Sequence, residues 1–373
     1  MASPPSHWLA HPRGIEPASV ATLPANADVV VIGGGVIGVS TSYWLARRGA
    51  DVVLLEGKRL GWGATGRNAG LMLAAHNPLE DPASTRAVLR EEGIEAEFVE
   101  RGHLALAMTP SIWERMLDEV AQRPAGAPPL HLVDHDHCEE LLGLHITAGV
   151  LGGRWLPGAA AIHPVRFVQE LAARAQRRGA TIAYPVCARR VQRIHTRDAL
   201  RVDTTRGAIR APSVVVACSA RTTRLVPSAT RVLRGHRAPM CSTTPLAPVF
   251  QMGLAIDWGA YYWRQAADGA VVLGGGGTHE GLSRLLPTIF PKFPPFEIER
   301  RWEGIMDETP DGRPIVGRWP DAPDVWVAAG FGGHGLPPAL GVGAALAEAI
   351  ANGQTCPLLA PLDPARFHKE QAC

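Results

Sequence analysis

The chain has 373 residues, 46% of them hydrophobic and 19% charged, enough to bury a large core and to divide into two structural regions. Lys and Arg total 37 against 35 Asp and Glu, a formal net charge of +2, and no basic run is long enough for the one-sided patch that a nucleic-acid partner requires. No apolar run approaches the ~20 residues of a membrane span, so neither a nucleic acid nor a bilayer is an expected partner.

Residues 1–27 hold many prolines and no sustained periodicity, which predicts an extended arm over the surface. Order begins with "DVVVI" (28–32), a β-branched run suited to a strand buried on both faces. "GGGVIG" then turns into the helix-compatible "VSTSYWLARR", Gly49 stops it, and "DVVLLE" (51–56) is a second buried strand. This is a βαβ unit of about 30 residues with parallel strands. From 76 to 159 the pattern changes to helices such as "SIWERMLDEVAQR" interrupted by short strands such as "HLALAM". Helix "HPVRFVQELAARAQRRG" and the runs "ATIAYPV" and "SVVVACS" restore the first signature between 160 and 234. Residues 235–300 add the strands "AYYWRQ" and "GAVVLGGG"; "DVWVAAGF" and the Pro-started, Gly-ended helix "PPALGVGAALAEAIANG" complete 301–360, leaving a tail at 361–373. Two regions are therefore interleaved, 28–75, 160–234 and 301–360 against 76–159 and 235–300.

Gly33, Gly35 and Gly38 fit GxGxxG directly after a strand and at the start of a helix, the context that makes this pattern a dinucleotide fingerprint. Gly33 allows the tight turn, Gly35 lets a pyrophosphate approach the backbone, and Gly38 lets helix and strand pack closely. Glu56 closes the second strand 18 residues after Gly38, placed to accept from ribose hydroxyls, and the small residue Gly57 follows it. FAD and NAD share this fingerprint. The small-residue stretch "GATGRNAG" (63–70) suits a backbone lying along an extended cofactor, and "AAGFGGHG" (328–335) sets a glycine cluster before a helix N-terminus able to face an electron-rich ring. By contrast "GGGG" (274–277) has no acid-bearing strand after it and reads as a structural turn. The cluster "HLVDHDHCEE" (131–140) lacks a closed ligand spacing and reads as a solvated loop, so no metal is expected.

"VIGGGVIG", "GATGRNAG", "HPVRFVQELAARAQRRGA", "VVVACSA", "TPDGRPIVG" and "AAGFGGHG", in this order, make the chain resemble the FAD-dependent amine and amino-acid oxidases, the family of glycine, sarcosine and D-amino-acid oxidases. The resemblance covers nearly all of Asp28 to Gly353. It implies an α/β fold in which a Rossmann-like FAD-binding domain is interleaved with an α+β substrate domain containing a large mixed sheet. It implies Val36 and Ile37 at the pyrophosphate, Glu56 on the ribose, Val186 at the adenine, and Ala64, Thr65, Ala69, Gly70 and Leu71 along the route to the flavin. Phe331, Gly332, Gly333, His334, Gly335 and Leu336 are implied at the flavin's pyrimidine edge. Arg67 divides between flavin contact and surface.

The departures concern substrate. Carboxylate-binding arginines of glycine oxidase-like proteins align on Met306 and Gly333, and the sarcosine oxidase-like cations align near Leu73 and Pro337; all are absent here. The cysteine that tethers FAD in sarcosine oxidase falls near Gly304, which implies noncovalent FAD. The lysine that favours reaction with oxygen in sarcosine oxidase aligns near Val272 and is absent here, which counts against an oxidase unless the reduced flavin meets oxygen beside His334. Arg264, beside Tyr262 on a strand, is a candidate carboxylate grip, with an ordinary surface arginine as the alternative.

The expected activity is oxidation of the C–N bond of a small amino acid or secondary amine, such as an N-substituted glycine, by hydride transfer to flavin N5. The imine then hydrolyses and O2 reoxidises the flavin. His334 is the one residue given a candidate proton-handling role. Six cysteines without a CxxC pair, and an N-terminus without a basic-then-apolar segment, suggest the cytoplasm; the sequence sets no oligomeric state. The competing readings are an NAD-dependent dehydrogenase and a flavin-binding protein without turnover.

Overall fold

The computed structural model describes residues 4–12, 14–73, 82–124, 126–194 and 199–367. The expected boundary at 75 and 76 and the last six residues of the tail lie outside them. Val29–Ile32 is the axis of the first sheet: it pairs in parallel with Val52–Leu55 (Val30 opposite Val53) and with Ser213–Val216 (Val30 opposite Val214). The six strands run in the order Ile315–Trp319, Ala322–Ala329, Ser213–Val216, Val29–Ile32, Val52–Leu55, Thr181–Ala183. Ile315–Trp319 is the antiparallel edge.

Alternation along the axis strand explains its unbroken apolar character. Val29 and Val31 pack beneath the helices Val36–Arg47, Pro164–Arg177 and Ala339–Asn352, whereas Val30 and Ile32 face a three-stranded meander built from Ala188–Ile194, Ala199–Thr204 and Gly207–Ala211. Val52 to Leu55 are all fully buried, and each contributes roughly 1.5–3 kcal/mol by leaving water. Pro164 begins its helix at the position where its missing N–H costs nothing, and His163 caps it by accepting from Arg166 N–H.

The second sheet has eight strands in the order Ile298–Glu308, Arg234–Thr243, Val271–Gly275, Tyr261–Gln265, Gly253–Ile256, His103–Ala107, Gly152–Leu156, His131–Asp134. Neighbours are antiparallel except where His103–Ala107 meets Gly253–Ile256. One face carries Leu104, Leu106, Leu254, Trp263, Leu273 and Cys241 and is covered by the helix His279–Ile289. The other carries Ala105, Ala255, Tyr262, Gly274, Met240 and Trp302, a row in direct cross-strand register.

Three sequence-based expectations change. Strands of the two sheets alternate along the chain, and residues 301–308, expected with the first region, belong to the second sheet, because Ile298–Glu308 is one uninterrupted strand paired along Arg234–Thr243. The N-terminal arm is not simply extended: His7–Ala10 is a one-turn helix capped by Ser6, with Trp8 only 1% exposed and its Nε1 donating to Asn68 O at 2.7 Å. A single turn leaves no periodicity to read, and one tryptophan is enough to seat it. The 131–140 cluster is a strand end and the helix His135–Leu142, not a loop; Asp134 caps that helix, Cys138 is buried, and His135 Nδ1 lies 2.9 Å from Val150 O.

Candidate active site

The glycines set the geometry first. Gly33 has φ +117°, and a Cβ there would lie 2.3 Å from Ala217 O; a Cβ on Gly38 would lie 1.9 Å from Gly33 O. Both are packing requirements between the first helix and two strand ends. At Gly35 the one atom near such a Cβ is Thr65 Oγ1, at a close 3.3 Å, and past it the position borders the central cavity space. That space is an elongated cavity of about 390 Å³ at the C-terminal ends of the parallel strands, where open α/β sheets bind their ligands.

One end of the cavity is polar. Glu56 accepts from Gly34 N–H at 2.8 Å through Oε2 and from Lys58 N–H at 2.7 Å through Oε1, leaving each oxygen capacity for a further hydrogen bond. Burial raises the Glu56 pKa, and the two backbone donors oppose that shift. Thr65 Oγ1 accepts from Val36 N–H at 3.0 Å, tying the helix start to the Ala64–Arg67 turn. Arg67 is 8% exposed, donates to the carbonyls of Trp62, Pro4 and Glu303, and has its pKa lowered by burial and then by the Arg221 charge. Lys58 and Arg221 also border the cavity. Cys218 lines it with a thiol pushed up to about 12 by burial, and is therefore unreactive.

The other end is apolar, walled by Met240, Tyr262, Ile305, Met306, Phe331 and Leu336. Tyr262 donates weakly to Met240 Sδ at 3.4 Å, and burial pushes its phenol up to about 12. Gly333 and Met306, the two positions where the resemblance expects arginines, touch: a Cβ on Gly333 would lie 2.8 Å from Met306 Sδ. A thioether against a glycine replaces two cations. The loop above this end is clamped by Asp307, which accepts from Ser219 Oγ at 2.8 Å and Gly330 N–H at 2.6 Å while its carbonyl accepts from Gly332 N–H at 2.8 Å. Burial raises the Asp307 pKa, against these donors.

Of the residues chosen from the sequence, Gly33, Gly35, Val36, Ile37, Glu56, Gly57, Ala64, Thr65, Arg67 and Val186 line the polar half; Tyr262, Met306, Phe331, Gly333, Gly335 and Leu336 line the apolar half. Gly38 lies outside the wall, as its packing role requires. Gly332 and His334 are not part of the wall either. His334 is open to solvent, yet protein around it lowers its pKa, with a smaller contribution from the Arg154 charge.

Ala69, Gly70 and Leu71 are displaced from the expected flavin route, because this segment turns behind the wall to receive Arg264 and to pair with Ala161. Arg264 itself is no carboxylate grip. It is 5% exposed, donates to Ala69 O at 2.6 Å and Ile162 O at 2.7 Å, and stacks over Trp8 at 4.8 Å. Burial pushes its pKa down to about 10. Its donors are committed to holding the Asn68–Leu71 segment and the N-terminal turn in place.

Sequence reasoning missed Lys58, Asn68, Cys218, Ser219, Arg221, Met240 and Asp307. Cys218, Ser219 and Arg221 had a usable signal, since they follow the C-terminal end of a parallel strand next to Val29–Ile32. Met240 and Asp307 arrive through cross-strand register, which no local pattern encodes.

Residues 28–349 match the family described as "FAD dependent oxidoreductase" (DAO), and the chain belongs to it. Its cofactor is FAD, and the observed cradle fits: room at Gly35, spare acceptor capacity on Glu56 and cations alongside. Human mitochondrial dimethylglycine dehydrogenase is 30% identical over 92% of this chain and 45% of its own length. The chain thus spans a little under half of the dimethylglycine dehydrogenases it matches. Sarcosine oxidase subunit beta of an Arthrobacter species is 26% identical over 91% of each chain. The glycine oxidase structure from Geobacillus kaustophilus superposes with a TM-score of 0.80 at 22% identity, covering 91% of this chain and 98% of that one. Among the described residues no helix is long and apolar enough to cross a membrane.

Proposed function

We propose that this FAD-dependent oxidoreductase oxidises the C–N bond of a secondary amine, an N-methylated amino acid or close analogue, to an imine that water hydrolyses to a carbonyl compound and the residual amine. Bound FAD supplies the two-electron acceptor. The observation that carries the reading is the apolar wall of Met240, Tyr262, Met306 and Phe331 at the far end of the dinucleotide cavity.

An ammonium ion without a counter-charge is costly to bury against thioethers and a neutral phenol. The wall therefore selects the unprotonated amine, whose lone pair is the one that assists loss of hydride. Met306 and Phe331 position the α-carbon and exclude water, and no protein nucleophile is required. The carboxylate of Asp307 is committed to Ser219 and Gly330, which fixes the loop rather than the substrate. FAD is held noncovalently and reoxidised by O2 in this reading, with the names and substrates of the sarcosine and dimethylglycine relatives as support for the substrate class.

The test is anaerobic mixing of FAD-loaded protein with N-methylated amines, followed by air. The reading expects bleaching of the flavin spectrum by at least one amine and one peroxide per imine on reoxidation. A flavoprotein that no amine bleaches would be a binding protein without turnover, and bleaching without peroxide would remove O2 as acceptor.

A further inference from the structure

The loss of cations at Met306 and Gly333 and the commitment of Arg264 leave the question of what receives an acidic group on the substrate. The inner face of the eight-stranded sheet offers one buried arginine in the right row. Arg154 lies directly opposite Ala105, Ala105 opposite Ala255, and Ala255 opposite Tyr262, so all four side chains emerge on the same face. Arg154 and Tyr262 flank a floor made of two alanines, and Gly274 lies beyond Tyr262 in the same row.

Arg154 is 5% exposed. It donates through Nη1 to Glu119 Oε2 at 2.5 Å, but its Nε is buried and has no hydrogen-bond partner. A buried guanidinium donor without an acceptor is expensive, and such groups persist where a ligand completes them. Trp258 stacks on the same guanidinium at 4.8 Å and on Arg115 at 4.2 Å. It does so from a hairpin in which Asp257 and Trp258 hold φ of 49° and 60°, a conformation that ordinary side chains rarely adopt. Trp258 and Tyr262 share one apolar cluster with Ala105 and Ala255, so Trp258 connects Arg154, which lies outside the cavity wall, to Tyr262, which is part of it. The Arg154 charge is also within reach of His334 and His103, adding to the lowering of both pKa values that burial causes.

We infer that Arg154, with Trp258 as its movable cover, is the carboxylate-binding residue of this enzyme, and that the preferred substrate carries its carboxylate several carbons from the amine nitrogen. The inference rests on the amine-oxidation reading above. Three strand spacings separate the Arg154 and Tyr262 positions, roughly 14 Å between backbones. The two side chains close part of that span, and an α-amino acid with its nitrogen beside Tyr262 is too short to close the rest. The substrate class is an N-alkylated ω-amino acid with about three to five carbons between nitrogen and carboxylate.

The experiment uses FAD-loaded protein and two ligand series. In the first, N-methyl-ω-amino acids of increasing length and a carboxylate-free N-methylalkylamine are compared as anaerobic flavin reductants. The longer acids should show a KM about tenfold or more below both N-methylglycine and the carboxylate-free amine. Arg154→Met should erase the advantage of the longer acids over the carboxylate-free amine, and Arg154→Lys should restore part of it. In the second, straight-chain monocarboxylates are titrated into the wild-type protein and followed by perturbation of the flavin spectrum, which needs neither turnover nor a folded variant. Tighter binding of the longer acids supports Arg154; tightest binding of acetate, or a wild-type preference for N-methylglycine, overturns it. If no amine bleaches the flavin the amine-oxidation reading fails separately, and the monocarboxylate series still decides the role of Arg154.

Discussion

The two ends of the cavity are built in different ways. The polar end is built mainly from one short stretch, Gly33 to Arg67, joined by Val186 and by Cys218 and Arg221, which follow the parallel strands on either side of it. The apolar end is assembled from Met240, Tyr262, Met306 and Phe331, carried by three different strands and a loop, and its shape depends on the register of an eight-stranded sheet. The first end is a backbone device, tolerant of side-chain change except where a Cβ will not fit. The second is a side-chain device, and in the proposed reading substitutions there alter the choice of substrate while the fold persists.

The comparison breaks most sharply at the glycines. Gly38→Ala places a Cβ 1.9 Å from Gly33 O and should cost about 4 kcal/mol or more, seen as a collapse in Tm or loss of soluble protein. A variant of normal Tm would mean that helix and strand are not packed as described. Next is Arg264→Met, which leaves Ala69 O and Ile162 O without donors inside the core; we expect a loss of about 3 kcal/mol in denaturant unfolding with no change in KM. A rise in KM at unchanged stability would return Arg264 to the substrate. Glu56→Gln acts at the polar end alone. Trading one carboxylate oxygen, which accepts from a backbone N–H, for an amide donor should weaken FAD binding by about 10–100-fold, measured by equilibrium titration, with little effect on amine selectivity.

A separate effect concerns pH and bears on the fold instead of the cavity. Burial pushes His103 down to about 3 and His163 down to about 4, from an ordinary value of 6.5. Below pH 6.5 the unfolded chain therefore takes up protons that the folded chain refuses. Stability should be complete at neutral pH and fall as pH drops from 6.5 towards 3–4. His103→Gln should flatten that decline in unfolding curves collected across this window. An unchanged slope would show that His103 is not buried in its neutral form.

How much was legible follows from the same contrast. Val29 to Glu56 could be read because strand, turn, helix and acid are each local patterns, and the structure carries all of them in register. The Ala64–Arg67 turn was legible for its small residues. Asn68 was not separable from Ala69 to Leu71, since the wall ends where Arg264 draws the chain away, 195 residues later in sequence. Arg264 was misread for a related reason: on an alternating strand the pattern reports which face a side chain occupies, but not that Trp8 and two carbonyls already fill the space before it. Arg154 carried no signal, because its significance lies in the row Ala105, Ala255, Tyr262 across three strands.

The account stands on FAD lying in the cavity against Gly35, where added bulk meets only Thr65 Oγ1 of the protein, at 3.3 Å, before it enters the cavity. The direct measurement is FAD stoichiometry and affinity for the wild-type chain and for Gly35→Val, alongside the Tm of each in cofactor-free form. We expect one FAD per wild-type chain, and a variant with nearly unchanged cofactor-free Tm that has lost FAD affinity by about 100-fold. A wild-type chain that takes up no FAD, or a Gly35→Val chain that binds it as tightly, would contradict the account.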